Sequence, residues 1–370
     1  MSDALPISPR SNLEQYKKLA KDFQQASANP TELDKVATRA ANGAKIPPKL
    51  LKHEAARIEN RWRQFKPAGG TACKLTEAQF FVARQHGFAS WPKFASHLRA
   101  LSIEDSPIAI FETAADAIVK GEQTSLRRLL AKHPQLVHAR STRDHRSTLL
   151  HYVSANGIED FRQKTPKNIV QITGLLLDSG AEVNAESDAY GGHSTTLNLT
   201  ATSCHPEQAG VQLELLELLL DHGAEVGHKD VLGCLNNGRA QAAEFLAGQG
   251  APLSFEEAAG IGRLDLLQTF KKPTKAQLSK ALSLACQFGK TEVAHHLLDQ
   301  GATAKNALHW AVWGPHLDIV KLLLSKATPL DVKDDQHHAT PLEWIAYAQQ
   351  SEPARRAAYD EVLKLLKASS

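Results

Sequence analysis

The stretch NALHWAVWGPHLDIVKLLL, Asn306–Leu324, decides the fold, because it reads as a short helix, a turn and a second apolar helix. It aligns without a gap on ALSLACQFGKTEVAHHLLDQGA, which begins at Ala281 and has leucine and alanine at the matching positions. The same template fits TLLHYVSANG from Thr148, which is followed by VQITGLLLDSGAEVNA. Leu308 and Leu342 are equivalent in this alignment and lie 34 residues apart, a period that is typical of helical repeats.

The pattern TPLHxA, a short turn, an LEIVKLLL-like helix, then GA and VNA resembles the ankyrin repeat, whose period is about 33 residues. The resemblance runs from about Ile110 to the C-terminus and is most specific in the repeats that begin at Thr148, Ala281, Ala307 and Pro341. Looser matches bring the total to about eight repeats. The resemblance implies an all-α ankyrin-repeat solenoid with short β-hairpin fingers, whose units stack because one unit cannot bury its apolar face alone.

The region before the repeats is predicted to be a small helical domain. Apolar side chains recur there at helical spacing, and the segment GFASWPKF, Gly87–Phe94, interrupts the last two predicted helices. This segment resembles a GFxSWPKF motif that precedes ankyrin arrays in many bacterial proteins, which implies a bacterial source. We therefore predict a flexible N-terminus at 1–10, a helical domain at 11–104, and an ankyrin array with a C-terminal capping helix at 105–370.

Charge is distributed unevenly along the chain. Residues 1–100 carry 17 Lys and Arg against 8 Asp and Glu, whereas residues 101–370 carry 26 against 32. The basic residues are spread through amphipathic helices without interleaved aromatics, so a nucleic-acid partner is not favoured, although binding of a polyanion by this region stays open. No run of eighteen apolar residues and no signal peptide is present, which predicts a cytoplasmic protein without a membrane partner.

Histidine and tryptophan in the opening stretch have separate interpretations. His309 and His316 occupy the TPLH and GH positions of the repeat, and the resemblance implies that they form hydrogen bonds to neighbouring turns. Trp310 replaces a buried leucine and is predicted to be core. Trp313 lies near the end of the first helix, a position that faces the concave groove in ankyrin arrays. We expect its indole either to anchor a binding partner or to cover the neighbouring repeat.

Two insertions and a long finger depart from the repeat pattern. Segments 158–169 and 204–212 enlarge the same turn in adjacent repeats, and stacking should place them side by side. The finger at 185–196, AESDAYGGHSTT, is also enlarged. Insertions in repeat arrays often map to a binding face. The alternative is that these segments are surface loops under little constraint, without a binding role. The candidate binding residues are Asp188, Tyr190, His193, His205, Trp313, His337 and Trp344.

Motifs for catalysis are absent from the sequence. It contains no HExxH, GxSxG or Walker motif, so no catalytic residue, metal site or cofactor is assigned. The sequence predicts a noncovalent recognition module that binds another protein through the groove, the fingers and the insertions. A small-molecule enzyme, or a metabolite or metal binder built on the histidine-bearing insertions, is the alternative. The sequence does not indicate an oligomeric state.

Overall fold

The computed structural model describes residues 12–27, 29–43, 48–66 and 73–369. The predicted flexible segment 1–10 lies outside the described residues. The chain divides into two compact units, Met1–Glu225 and Val226–Ser370. Within the described residues, no helix has the length and apolar character needed to cross a membrane.

The described residues of the first unit begin with a group of five helices. They are α1 (Leu13–Ala26), α2 (Pro30–Gly43), α3 (Pro48–Phe65), α4 (Leu75–Gln85) and α5 (Trp91–Leu101). Their apolar faces share one hydrophobic cluster, in which Phe23 stacks on Trp62 and both rings contact Phe81. The region 11–104 thus has a core of its own, and its boundary as a domain stays a prediction.

The rest of the first unit consists of short helices and one β-hairpin. The α-helices are α6 (Pro107–Lys120), α7 (Gln123–Lys132), α8 (Ile169–Asp178), α9 (Thr196–Thr202), α10 (Cys204–Gln208) and α11 (Gln212–Asp221). The 3-10 helices are Pro134–His138, Leu149–Ser154, Asp160–Arg162 and Ala189–Gly191. Antiparallel strands β1 (Glu186–Ser187) and β2 (Ser194–Thr195) pair Glu186 with Thr195 and Ser187 with Ser194.

The segment Gly87–Phe94 packs against the loop around Asp144. The Asp144 amide N–H donates to the Gly87 carbonyl oxygen over 2.7 Å. Next to it, His97 Nδ1 lies 2.7 Å from Thr142 Oγ1. Backbone and side-chain hydrogen bonds therefore join the N-terminal helices to the loop around residue 143.

The second unit is built from successive helix pairs. Its helices are α12 (Asp230–Asn236), α13 (Ala240–Gly248), α14 (Phe255–Ile261), α15 (Leu264–Leu267), α16 (Lys275–Gln287), α17 (Thr291–Asp299), α18 (Ala307–Trp313), α19 (Leu317–Ser325), α20 (Pro341–Ser351), the 3-10 helix Pro353–Arg355 and α21 (Arg356–Ala368). Small Ala285 and Ala311 are fully buried between first helices, and Leu297 and Leu323 fill the layer between second helices. The predicted capping helix is α21, which buries Tyr359 in the same cluster.

Both repeat histidines connect neighbouring turns, as predicted. The His309 imidazole donates through Nε2 to the Ala339 carbonyl at 3.0 Å, and the His316 imidazole donates to the Gln287 carbonyl at 2.8 Å. The prediction that Trp310 is core is only partly met, because Trp310 is half-buried at the edge of the hydrophobic cluster. An indole is larger than the leucine that it replaces, and its remaining surface stays accessible.

Gly314 lies at a close approach between two repeats. A Cβ at this position would overlap the Gln287 carbonyl oxygen and the His316 ring, which are themselves hydrogen-bonded. We expect Gly314→Ala to lower the free energy of unfolding by about 1 to 3 kcal/mol, because relieving the overlap moves backbone. Urea unfolding checks this, with Gly248→Ala as the matched control. A Cβ at Gly248 meets nothing within 4 Å, so an equal loss in both variants would contradict the prediction.

Candidate functional site

The tip of the finger in the first unit has an unusual backbone. Four consecutive residues have positive φ, namely Tyr190 (52°), Gly191 (103°), Gly192 (106°) and His193 (57°). Residues other than glycine rarely adopt this region, and such strain often occurs at functional sites. The turn directs both side chains outwards, leaving Tyr190 66% exposed and the His193 side chain 87% exposed.

Tyr190 is held by a hydrogen bond despite its exposure. Its hydroxyl donates to Asn156 Oδ1 at 2.5 Å, and Asn156 Nδ2 donates to the Leu199 carbonyl at 3.1 Å. Partial burial raises the pKa of the phenol, and the charges of Asp160 and Cys204 act in the same direction. Asn156 lies two residues before the first insertion, so the hydrogen bond from Tyr190 connects the fingertip to the segment that leads into the insertion.

The other candidate residues of this unit have local partners. The Asp188 amide donates to the His145 carbonyl at 2.7 Å, and its exposed carboxylate lies 3.9 Å from Arg146 Nε. His193 Nδ1 lies 2.7 Å from Glu186 Oε2. His205 is half-buried in α10, and burial lowers the pKa of its imidazole. Tyr190 and His193 therefore share one fingertip, whereas His205 lies on the second insertion.

The first insertion contributes to a buried ion network. Arg143 Nη1 donates to Glu112 Oε1 at 2.7 Å and lies 2.6 Å from Glu159 Oε1. Arg162 Nη1 donates to Glu112 Oε2 at 2.7 Å, and the Tyr152 hydroxyl donates to Glu159 at 3.1 Å. Burial alone would raise the pKa of Glu112, but the two guanidinium charges outweigh it and lower the pKa to about 2.

This network changes the interpretation of segment 158–169. Ile158, Glu159 and Arg162 are buried, and Asp160 pairs with Arg57 of α3 at 2.9 Å. Much of the insertion is therefore structural rather than available for binding. Sequence reasoning missed the network, because its members are far apart in the chain and resemble ordinary surface charges.

Aromatic side chains gather on the first helices of the last two repeats of the second unit. The 34-residue period makes Trp310 equivalent to Trp344, and Trp313 equivalent to Tyr347. The Trp344 ring centroid lies 5.2 Å from that of Trp310 and 6.0 Å from that of Trp313, with both pairs nearly perpendicular. Trp313 and Tyr347 are nearly parallel, with an interplanar angle of 18° and centroids 6.4 Å apart. We call these four residues the aromatic surface.

The aromatic surface is partly exposed. Tyr347 is 65% exposed, and the three indoles are half-buried. His337 lies beside it, with its ring 5.9 Å from that of Trp344. The structure therefore brings together three predicted residues, Trp313, His337 and Trp344. Tyr347 was missed, although its equivalence to Trp313 in the repeat register was a signal that could have revealed it.

Asp334 holds the edge of the Trp344 indole by a hydrogen bond. Its Oδ2 accepts the indole N–H at 3.0 Å, and its Oδ1 accepts the amide N–H of Gln336 at 2.8 Å and of His337 at 2.7 Å. Burial would raise the pKa of this carboxyl, but these hydrogen bonds hold it well below its usual range. The carboxylate therefore stays ionised next to the rings.

Comparison with known families identifies the repeats of the second unit. The family described as "Ankyrin repeats (3 copies)" matches residues 255–336 and, in an overlapping alignment, residues 282–363. Residues 255–363 carry ankyrin repeats. The predicted fold class, an all-α ankyrin-repeat protein, is confirmed. The ankyrin repeats assigned before residue 255 stay predictions.

Individual relatives are distant from this chain. It is 28% identical over 195 residues to the Caenorhabditis elegans "Ankyrin repeat and KH domain-containing protein mask-1", which covers 46% of this chain and 7% of that protein. The chain thus corresponds to about 7% of the length of this relative. Among solved structures it is similar to the human ASB11 ankyrin repeat domain, with a TM-score of 0.35 and 19% identity over 62% of this chain and 90% of that one. The ankyrin repeat domain of Bcl-3 gives a TM-score of 0.32 and 19% identity over 62% and 92% of the two chains.

Proposed function

We propose that this chain is a noncovalent recognition module that binds another protein, and that the aromatic surface is its principal contact. Partly exposed aromatic side chains are enriched among the residues that contribute most to protein–protein affinity. The observation that carries the proposal is the row of four aromatic side chains from two adjacent ankyrin repeats, which ends in the 65% exposed Tyr347. The fixed rings lose little conformational entropy on binding.

The fingertip is the second candidate surface. Tyr190 and His193 are held outwards by a strained turn, and Tyr190 is bonded to Asn156. The predicted set Asp188, Tyr190, His193 and His205 therefore stays a proposal, alongside Trp313, His337 and Trp344. A small-molecule ligand, a bacterial source and a cytoplasmic location also stay predictions, and nucleic acid stays the less favoured partner.

The two surfaces offer a matched experiment. Tyr347 and Tyr190 are both tyrosines, are 65% and 66% exposed, and lie in different compact units. We expect Tyr347→Ala to weaken capture of a specific partner from the lysate of the source organism by about thirtyfold, the effect of losing a contact worth about 2 kcal/mol. Tyr190→Ala should leave capture unchanged. Both variants are first compared with the wild type by circular dichroism and thermal unfolding.

The outcome separates the alternatives. A partner that is lost with Tyr190→Ala and kept with Tyr347→Ala would move the contact to the fingertip. A partner that both variants retain at wild-type level, or the absence of any specific partner, would contradict the proposed role of the aromatic surface.

A further inference from the structure

The N-terminal helices meet the loop at 141–147 along a contact that we call the seam. The Asp144 amide donates across it to the Gly87 carbonyl over 2.7 Å. His97 of α5 also reaches the loop, with its Nδ1 2.7 Å from Thr142 Oγ1. A titratable imidazole is therefore one of the polar groups that hold the seam closed.

The His97 imidazole is buried and has hydrogen-bonding capacity on one side only. Its residue is 1% exposed, and Nε2 has no hydrogen-bond partner among the described residues. The other nitrogen, Nδ1, already shares the Thr142 hydroxyl. Protonation would therefore leave an N–H group at Nε2 without an acceptor and place a positive charge in a site from which water is excluded. Both effects oppose protonation while the seam is closed.

A permanent cation lies near His97 on the other side of the seam. Arg143 belongs to the loop and is buried, and its guanidinium carbon lies 5.6 Å from the centroid of the Phe88 ring. The Phe88 centroid is itself 4.9 Å from that of the His97 ring. A second positive charge on His97 would be repelled by Arg143 in surroundings that screen charges poorly.

Other charges near the seam do not reverse this effect. Arg84 of α4 pairs with the Asp144 carboxylate across the seam. The remaining charged or titratable groups that face His97 are Glu112 of α6, Glu159 and Arg162 of the first insertion, and His86 of the turn after α4. The two glutamates favour the protonated imidazole. Burial and Arg143 outweigh them, and the pKa of His97 falls to about 4.

His86 is also buried, but it lies in the interior of the N-terminal helices. Its ring stacks on Phe94 with centroids 4.8 Å apart and stands at 80° to the Tyr16 ring with centroids 5.0 Å apart. Both of these aromatic residues belong to the hydrophobic cluster that the N-terminal helices share. Parting the helices from the loop leaves these contacts in place, so the surroundings of His97 change more than those of His86.

We propose that the seam is an acid-sensitive latch, which opens as the pH falls because His97 takes up a proton only after α5 has parted from Thr142 and Arg143. Opening places the imidazole in water and separates it from Arg143, which stays paired with Glu112 and Glu159. The N-terminal helices keep their own hydrophobic cluster and are released as a folded group. This device goes beyond the proposed protein binding and does not depend on it.

Hydrogen exchange of the Asp144 amide measures the opening, because this N–H group is bonded to the Gly87 carbonyl across the seam. The protection factor, which corrects for the intrinsic effect of pH on exchange, is compared at pH 7 and pH 5. The pKa of His97 is about 4 in the closed seam and about 6.5 once the imidazole is in water. The closed seam therefore loses stability as the pH falls below 6.5, and we expect the protection factor to fall by about twentyfold.

Two matched variants identify the histidine responsible. His151 is buried in the same compact unit, and burial lowers its pKa to about 4 as well, but its hydrogen bonds lie outside the seam. His97→Asn retains a group that can bond to Thr142 and does not titrate, so it should reduce the change in Asp144 protection to less than about threefold. The change should stay about twentyfold in His151→Asn. Circular dichroism at both pH values first verifies that each variant keeps its helical content.

Three results would overturn the inference. A twentyfold change that persists in His97→Asn would assign the pH dependence to other groups, such as the Asp144 carboxylate. An equal reduction in His97→Asn and His151→Asn would show that the amide exchanges through unfolding of the whole unit, in which both histidines take up protons. A protection factor that is the same at pH 7 and pH 5 in the wild type would reject the latch without any variant.

Discussion

Replacing Arg143 with methionine is expected to lower the free energy of unfolding by about 3 to 5 kcal/mol. The guanidinium is fully buried and contacts both Glu112 and Glu159. Arg162 continues to pair with Glu112 in the variant, but Glu159 loses its shortest ion pair in a site from which water is excluded. Urea unfolding followed by circular dichroism measures the loss.

Two further variants show that the effect comes from an unbalanced buried charge. Arg143→Met combined with Glu159→Gln removes both charges and leaves an amide oxygen for the Tyr152 hydroxyl, so it should recover at least half of the loss. Arg263 forms an ion pair with Asp265, and both side chains are about half exposed, so solvent screens the pair and Arg263→Met should change the free energy of unfolding far less than Arg143→Met. A loss at Arg143 as small as that at Arg263 would show that the network contributes little.

Acidification from pH 7 to pH 5 should destabilise the first unit by several kcal/mol. Burial is the main cause that lowers the pKa of His86 to about 3, and of His97 and His151 to about 4 each. In the unfolded chain these imidazoles take up protons near pH 6.5, whereas in the folded protein they stay neutral. The free energy of unfolding is therefore unaffected by these three histidines above pH 6.5 and decreases as the pH falls below that value. At pH 5 the decrease is about 2 kcal/mol for each histidine.

The variant His86→Phe isolates one of these contributions. The new ring can keep the stacking on Phe94, where the imidazole now lies with centroids 4.8 Å apart. The difference in unfolding free energy between pH 7 and pH 5 should shrink by about 2 kcal/mol in this variant. Glu112 contributes little to this difference, because its lowered pKa makes the free energy of unfolding depend on pH only below about pH 4.5. Identical pH dependence in the two proteins would contradict the assignment.

The repeat register was predictable because it rests on local rules. Gly301, with φ of 88°, ends a second helix, and His309 and His316 form the predicted hydrogen bonds, since both features depend on residues at fixed positions within one period. The same register contained the equivalence of Trp313 and Tyr347. The register did not show that Tyr347 is exposed, because an aromatic residue at helical spacing is equally compatible with a position in the hydrophobic core.

The ion network could not be predicted from the sequence. Glu112, Arg143 and Glu159 are separated by long stretches of chain, and nothing in their local sequence distinguishes them from solvated charges. Their burial depends on how the first insertion folds back on α6. In the sequence the insertion is visible only as a departure from the repeat length, which is compatible with a binding face or with an unconstrained loop and does not indicate a buried structural role.

The packing of Gly87–Phe94 against the loop at Asp144 has a consequence for synthesis on the ribosome. The N-terminal helices emerge first, but the hydrogen-bond partner of the Gly87 carbonyl, Asp144, is synthesised later. Arg57 likewise pairs with Asp160, which follows it by 103 residues. At about 5 to 20 residues per second, this interval lasts roughly 5 to 20 seconds. During it, the nascent helices lack the loop and insertion that later pair with them, so a chaperone that binds early should be released only after the insertion has emerged.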